Sequence, residues 1–268
     1  MFFQQIWEVF STSKYITLML EGFWITLVIA VGASVLGLFL GTLVAVIKIA
    51  AQKNKKKMRI PEFICDVYIS VIRGTPVALQ LFIMAFAIFA IRGFPLELTA
   101  ILTFGINSGA YVAESLRGGI QSVDPGQSEA ARSLGLSELQ SMIYIVIPQA
   151  VKNVIPAIGN ELIALLKETS IVSMVGIVDL TFAAKIIGAG NEMATYLAPM
   201  VVAALFYLAV VYLLIFGIRS IEKKLKQSEQ HIDERKAEKC RIRMEKRLKM
   251  IDENYRKACA RKGQDYAG

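Results

Sequence analysis

The sequence predicts an all-α integral membrane protein with five transmembrane helices, and three observations lead to that fold class. Hydrophobic residues make up 55% of the 268 residues and charged residues 19%, below the quarter or so that soluble domains carry. Residues 23–47 and 193–218 contain no charge, and each stretch exceeds the roughly 20 residues that a helix needs to cross a bilayer. Lipid offers no partners to backbone groups, so spans of this length must be helices.

The uncharged stretches define the five spans in order. The first covers about residues 22–51 and the fifth about 193–218, and both have charge-free centres. The second, third and fourth cover about 63–91, 96–116 and 154–184, and each is interrupted by polar residues. An odd number of spans places the two termini on opposite sides of the membrane.

The orientation follows from where lysine and arginine collect in short loops. One side holds Lys48, Lys53, Lys55, Lys56, Lys57, Arg59, Arg117, Arg132, Lys152 and Arg219, whereas the other holds Lys14, Arg92 and Lys185. The prediction is an N-terminus outside and a C-terminus in the cytoplasm. The chain then divides into an extracytoplasmic segment 1–21, a membrane domain 22–221 and a cytoplasmic tail 222–268.

Small residues recur in the first span at Gly32, Ser34, Gly37 and Gly41. This spacing favours close helix packing, but a lipid-facing run with incidental glycines is an equally good interpretation.

Composition also excludes several classes of site. Three cysteines without a CxxC pair and a single histidine, His231, leave almost no material for a zinc site, so we expect no metal. No GxxxxGK[ST] phosphate loop is present. We therefore expect no cofactor in this chain, and any ATP must be bound by a separate subunit.

The loop 117–152, between the third and fourth spans, is too patterned for a linker. Residues 128–134 predict a short helix in which Ser128 is the cap, and Gly135 ends that helix. Ser137 and Glu138 begin a second amphipathic helix that leads to Pro148. The expectation is a compact cytoplasmic knob made of two short helices.

This loop resembles the EAA signature of the membrane subunits of bacterial ATP-binding cassette importers. The residues that carry the resemblance are Glu129, Ala130, Ala131, Gly135, Ile145, Ile147 and Pro148, with isoleucine at position 147 where leucine is usual. The resemblance implies the type I importer transmembrane fold. It also implies that the loop docks on a dimer of cytoplasmic ATPases, which would bind ATP and Mg.

Three further segments resemble the polar amino acid permeases, which include the glutamine, arginine, histidine and cystine systems. They are RGTP at 73–76, SGAYVAE at 108–114 followed by RGGI at 117–120, and LLKETS at 165–170. The resemblance implies a permease of the bacterial cytoplasmic membrane that works with a second permease subunit and an extracytoplasmic amino-acid-binding protein. Which amino acid it carries, and whether the second subunit is identical, stay open.

Polar residues inside the spans are candidates for a substrate pathway, because charges in the bilayer are costly and face a cavity or one another. The candidates are Arg73, Thr75, Asn107, Tyr111, Glu114, Glu161, Lys167, Thr169, Ser170 and Asp179. Arg73, Asn107 and Lys167 fall near the membrane midplane, where transporters place their substrate.

The chemistry of the candidates allows two interpretations. Arg73 can hold a substrate carboxylate with a bidentate fork, and Glu161, Glu114 or Asp179 can hold an ammonium group. Alternatively, Arg73 pairs with a carboxylate on another helix and Lys167 pairs with Glu114 or Glu161, only to neutralise charge. The proline at 76 is either a hinge beside the pathway or a packing kink.

Two rival functions remain on the sequence alone. A secondary transporter or channel would also explain buried charges, but it leaves the 117–152 loop unexplained. A membrane scaffold that recruits nucleic acid is disfavoured, because the tail 222–268 mixes nine acidic residues with its 15 basic ones.

The tail also contains an amphipathic stripe, formed by Met244, Leu248, Ile251 and Tyr255. That stripe indicates a helix on anionic lipid or on the ATPase, with a solvated tail as the alternative.

Overall fold

A computed structural model describes the backbone of residues 2–53, 55–190 and 196–264, and its regular structure in those ranges is helical. The chain divides into two compact units, Met1–Ile218 and Arg219–Gly268. The α-helices of the described part are α1 Phe2–Ser11, α2 Ser13–Lys53, α3 Lys55–Gly74, α4 Val77–Ile83, α5 Leu96–Gln121, α6 Pro125–Ser133, α7 Glu138–Ser141, α8 Ile147–Glu168, α9 Leu180–Ala189 and α10 Leu197–Gln264.

Three helical segments of the described chain are long and apolar enough to cross a membrane. They are Ser13–Ala51, Glu138–Val175 and Leu197–Leu225. A fourth is added if the bent pair Lys56–Gly74 and Val77–Ile88 is one span. The 26-residue helix α5 falls outside this set, and the count of five spans therefore stays a prediction.

The second predicted span, 63–91, is sharply bent. Helices α3 and α4 meet at 106° across Thr75 and Pro76, and Pro76 has an extended backbone with ψ 133°. Proline has no N–H and disfavours a helical conformation in the residue before it, so the helix breaks here. The bend at Pro76 is confirmed, and α3 begins before the predicted limit, at Lys55.

The fourth predicted span, 154–184, is not one continuous helix. Helix α8 begins at Ile147 and is followed by a 3₁₀ turn, Thr169–Val175, which Gly176 ends with a left-handed φ of 91°. Glycine adopts this conformation without the steric cost that other residues carry. Asp179 therefore lies outside that helix, as the cap of the separate helix α9.

The fifth predicted span begins at 193, and residues 193–195 lie outside the described residues. Helix α10 continues from Leu197 to Gln264. In the amphipathic stripe of the tail, Met244 is 62% exposed, whereas the side chains of Leu248, Ile251 and Tyr255 lie outside the described part.

Helices α2 and α5 pack in close contact through small residues. A Cβ added at Gly37 would lie 2.8 Å from Cβ of Ser108, and one added at Gly41 would lie 2.6 Å from Cβ of Val112. Glycines bring backbones together in this way. The packing interpretation of the small residues in the first span is confirmed for these two glycines.

Helix α5 is the buried centre of the membrane body, packed against α2, α3, α4 and α8. The main apolar cluster joins Ile29 of α2, Leu81 of α4, Phe104 of α5 and Leu166 of α8. A second cluster joins α1, α2, α9 and α10, and it contains Val9, Met19, Leu180 and Val202. The polar candidates on α5 are thus held in the interior of the helical body.

Candidate functional site

The first knob helix, α6, begins three residues earlier than predicted. Asp124 is its cap and accepts a hydrogen bond from the backbone N–H of Gly126 at 2.9 Å, while Pro125 is the first helical residue. Aspartate followed by proline is a stronger helix start than an internal serine. The cap predicted at Ser128 is therefore wrong; its hydroxyl accepts a hydrogen bond from Ser141, which ties α6 to α7.

The turn between the knob helices has the predicted form. Gly135 has a φ of 89°, and the N–H of Leu136 donates to the carbonyl of Ala131 at 3.2 Å. Ser137 and Gln140 then form a capping box, in which each side chain accepts from the other residue's backbone N–H. The glycine stop and the Ser137 start are confirmed.

The signature residues of the loop differ in exposure. Glu129, Ala130, Gly135 and Pro148 are exposed, Ile145 is half-buried and Ala131 is buried. After α7, a π-helical turn, Met142–Val146, continues into α8 at Ile147. The knob therefore has an exposed outer part and an unbroken helical connection into the membrane body.

Large apolar side chains are exposed on this polar knob. Leu134 is 83% exposed, Tyr144 68% and Leu139 60%. Contiguous exposed apolar surface marks interaction sites, so these residues are candidates for a docking contact. None of the three is among the residues predicted from the sequence, although Leu134 could have been found as an apolar residue directly before the helix-ending Gly135.

A polar cluster lies at the bend between α3 and α4. The side-chain amide of Gln80 donates to the carbonyl of Ile72 and to Oγ1 of Thr75, each at 2.8 Å, and Asn107 donates to Oε1 of Gln80 at 3.0 Å. Gln80 thereby satisfies a carbonyl near the break in the helix and links it to α5. Sequence reasoning missed Gln80, because glutamine in an apolar run carries no distinctive pattern.

Glu114 on α5 is shared by two arginines. Arg117 holds it through two hydrogen bonds of 2.8 and 3.0 Å, and Nη1 of Arg73 lies 3.4 Å from the same carboxylate. The guanidinium of Arg73 also lies over the ring of Tyr111, 5.1 Å from its centroid. The structure thus shows the predicted pairing of Arg73 with a carboxylate on another helix.

The remaining polar candidates are dispersed. Glu161 on α8 is half-buried, and Thr169 is buried and donates to the carbonyl of Leu166 at 2.6 Å. Lys167 and Ser170 line a separate pocket of about 320 Å³ with Tyr207 of α10.

Asp179 is fully buried and caps α9 by accepting from the N–H groups of Thr181 and Phe182, at 3.1 and 2.9 Å. Asp179 therefore has a structural role as the cap of α9.

One pocket of about 340 Å³ adjoins the bend. Its walls are mostly apolar, with Thr75, Gln80 and Thr103 as the polar members; the others are Val71, Ile72, Leu79, Ile83, Met84, Ile88 and Ile106.

Asn107, Tyr111 and Glu114 follow one another on a single face of α5, at i, i+4 and i+7. The structure therefore brings Arg73, Tyr111 and Glu114 together. It also links Thr75 to Asn107 through the side chain of Gln80. Among the described residues, no group of three or more His, Cys, Asp or Glu could hold a metal.

Residues 37–227 match the family model described as binding-protein-dependent transport system inner membrane component. A putative glutamine transport system permease protein of Rickettsia bellii is 42% identical over 215 residues, which is 80% of this chain and 95% of that protein. An arginine transport system permease protein of Bacillus subtilis is 39% identical over 221 residues, 82% of this chain and 97% of that protein.

Solved structures give a consistent result. An amino acid ABC transporter crystallised with histidines has a TM-score of 0.72 and 37% identity, covering 80% of this chain and 97% of that one. The methionine ABC transporter MetNI, in an inward-facing conformation, has a TM-score of 0.67 at 18% identity, covering 80% and 98%. The second likeness is one of fold alone. Most of the tail 222–268 lies beyond the family match.

Proposed function

The chain belongs to the family of binding-protein-dependent transport system inner membrane components, and from that premise we propose that it carries polar or charged amino acids across the bacterial cytoplasmic membrane. It is the permease subunit of an ATP-binding cassette importer, a transport component and not an enzyme, and the ATPase is a separate subunit. The amino acid substrate is supported by the names of the relatives, which are glutamine and arginine permeases.

The knob is the observation that carries the proposal. Two capped helices present exposed Leu134, Leu139 and Tyr144, and helix runs without a break from Glu138 to Glu168. A docked ATPase would therefore push on a rigid element whose far end lies in the main apolar cluster. ATP-driven closure of the ATPase dimer would move α8 as a unit, as coupled import requires. A channel needs no ATPase and would have no function for the knob.

The docking role is tested by Leu134→Glu, with Leu134→Met as the matched control. The side chain is 83% exposed, so neither change should disturb folding, but a charge on an apolar contact is costly once water is excluded. We expect the glutamate variant to insert normally and to lose co-purification with its ATPase, while the methionine variant keeps it. Co-purification of the ATPase with the glutamate variant at the wild-type level would contradict the docking role of the knob.

Five spans with the N-terminus outside complete the proposed architecture: α2, the bent pair α3 and α4, α5, α8 and α10. Burial of α5 between its neighbours supports counting it as the third span. Five helices hardly enclose a path, so a second permease subunit would complete it.

Cysteines introduced at Lys14 and Ser133 in a cysteine-free chain test the orientation. We expect an impermeant maleimide to label only position 14 in intact cells.

Arg73 is the residue we assign to the substrate carboxylate. It is held to Glu114 by a single contact of 3.4 Å, whereas Arg117 holds Glu114 through two shorter bonds. If Arg73 moved to a substrate carboxylate, Arg117 would still neutralise the charge of Glu114. Tyr111 beneath the guanidinium would hold the arginine in position by a cation–π contact.

Arg73→Lys tests this assignment, because it keeps the charge and removes the planar fork. We expect uptake by the reconstituted transporter to need more substrate for half-maximal rate, with basal ATPase activity unchanged. Arg92→Lys makes the same change on an exposed loop and should leave uptake at the wild-type level. Unchanged substrate dependence in Arg73→Lys would remove Arg73 from the pathway.

A further inference from the structure

Helix α1, Phe2–Ser11, has three chemically different sides. Ile6 and Val9 face the protein, where Val9 is fully buried and Ile6 packs on the same cluster. Gln4, Glu8 and Ser11 are exposed polar residues. Phe3, Trp7 and Phe10 are exposed aromatic residues, at 83%, 73% and 41%.

The exposed aromatic residues form one narrow strip. At 3.6 residues per turn, positions 3, 7 and 10 fall within roughly 60° of the helix circumference. The strip lies between the side that packs on the protein and the side that carries Glu8. A helix on the surface of a soluble protein needs only a protein side and a water side, so the aromatic strip calls for a third environment.

The position of α1 in the fold indicates which environment that is. Ile6 and Val9 share their cluster with Met19 and Phe23 of α2, and Phe23 is the first residue of the charge-free stretch 23–47. Helix α1 therefore lies level with the N-terminal margin of the first span, which is the outer margin in the proposed orientation. On α2, Trp24 is 67% exposed and begins the lipid-facing surface of that span.

We propose that α1 is an interfacial helix whose aromatic strip inserts among the lipid headgroups of the outer leaflet. Tryptophan and other aromatic residues favour this region, because their rings combine an apolar body with a polarisable or polar edge. Glu8 and its neighbours face water, and Ile6 and Val9 anchor the helix in the apolar cluster that it shares with α2, α9 and α10. Segment 1–21 is then in part a membrane contact. The proposal rests on the membrane placement of α2 and is independent of the substrate.

The chain has two tryptophans, so the proposal can be tested by fluorescence in nanodiscs. Trp24→Phe leaves Trp7 as the sole reporter on an otherwise unchanged α1. We expect Trp7 to be quenched more by lipid brominated near the headgroup than by lipid brominated near the chain end, and to be shielded from aqueous iodide. Trp7→Phe leaves Trp24, which should be quenched by the deeper bromines as well.

A matched control places the reporter on the other side of the same helix. In the Trp7→Phe, Trp24→Phe background, Glu8→Trp should give a fluorophore that iodide quenches and brominated lipid does not. Free access of iodide to Trp7 would overturn the proposal. Shielding of Trp7 from both iodide and brominated lipid would also overturn it and would indicate a protein partner on this strip.

Discussion

The contact between α2 and α5 and the knob of α6 and α7 are stabilised in opposite ways. In the first, glycines bring two helices so close that a single added carbon at Gly41 would lie 2.6 Å from Val112. In the knob, Gly135 has nothing within 4 Å of its added carbon and is needed only for its left-handed backbone. One region depends on filled space, and the other depends on backbone conformation and caps.

The two regions therefore tolerate different substitutions. Without a hydrophobic driving force between helices in lipid, the body depends on close van der Waals contact, so added volume is harmful there. A side chain added at Gly135 of the knob would meet open space, so a substitution there is harmful through its left-handed backbone, which favours glycine. Three substitutions test this contrast, in order of decreasing effect.

Gly41→Ala should have the largest effect. The new methyl group would meet Val112 and the carbonyl oxygen of Gly109, at 2.6 and 2.8 Å, and overpacking of this kind costs about 1–3 kcal/mol. We expect a clearly lower melting temperature of the detergent-solubilised protein. Gly217→Ala is the control, because nothing lies within 4 Å of its added carbon. Equal melting temperatures for the two variants would show that α2 and α5 are not tightly packed.

Gly135→Val should come second and should affect function more than stability. A β-branched residue at φ 89° is strained by about 1–2 kcal/mol, so the turn between α6 and α7 would change shape. We expect normal insertion and a large loss of ATP-driven uptake. The same change at Gly118, which is equally open but helical, should leave uptake near wild type. Loss of uptake in both variants would show that backbone conformation is not the cause.

Ser137→Ala should have the smallest effect. It removes the capping hydrogen bond to the N–H of Gln140, a loss of about 1 kcal/mol. We expect faster hydrogen exchange at the first amides of α7 and a modest decrease in uptake. Ser133→Ala serves as the control, since its hydroxyl donates only to the carbonyl of Glu129 within α6. Exchange rates that rise equally in both variants would refute the role of the cap.

Local features were predictable because their causes are local. Gly135 as a helix stop and Ser137 as a helix start follow from backbone preference and side-chain capping within four residues. The break at Pro76 follows from the missing N–H. Ser128 was a wrong cap because Asp124 and Pro125 form a better start three residues earlier.

Contacts between distant segments were less predictable. The sharing of Glu114 between Arg73 and Arg117 depends on how α3 is aligned with α5 along their lengths, and the role of Gln80 depends on the bend that brings α4 beside Asn107. The division of the predicted fourth span at Gly176 depends on α9 packing against α2, where the N–H of Leu180 donates to Thr26.

Hydropathy, the placement of glycine and proline and the fixed spacing of motifs lie along the chain itself, so the membrane class, the helical fold, the knob and the family follow from the sequence. Only the folded arrangement shows which small residues meet, that Arg73 and Arg117 share one carboxylate, and which strip of α1 is exposed. Those outcomes depend on the distances between helices that are far apart in sequence, and no local pattern encodes such a distance.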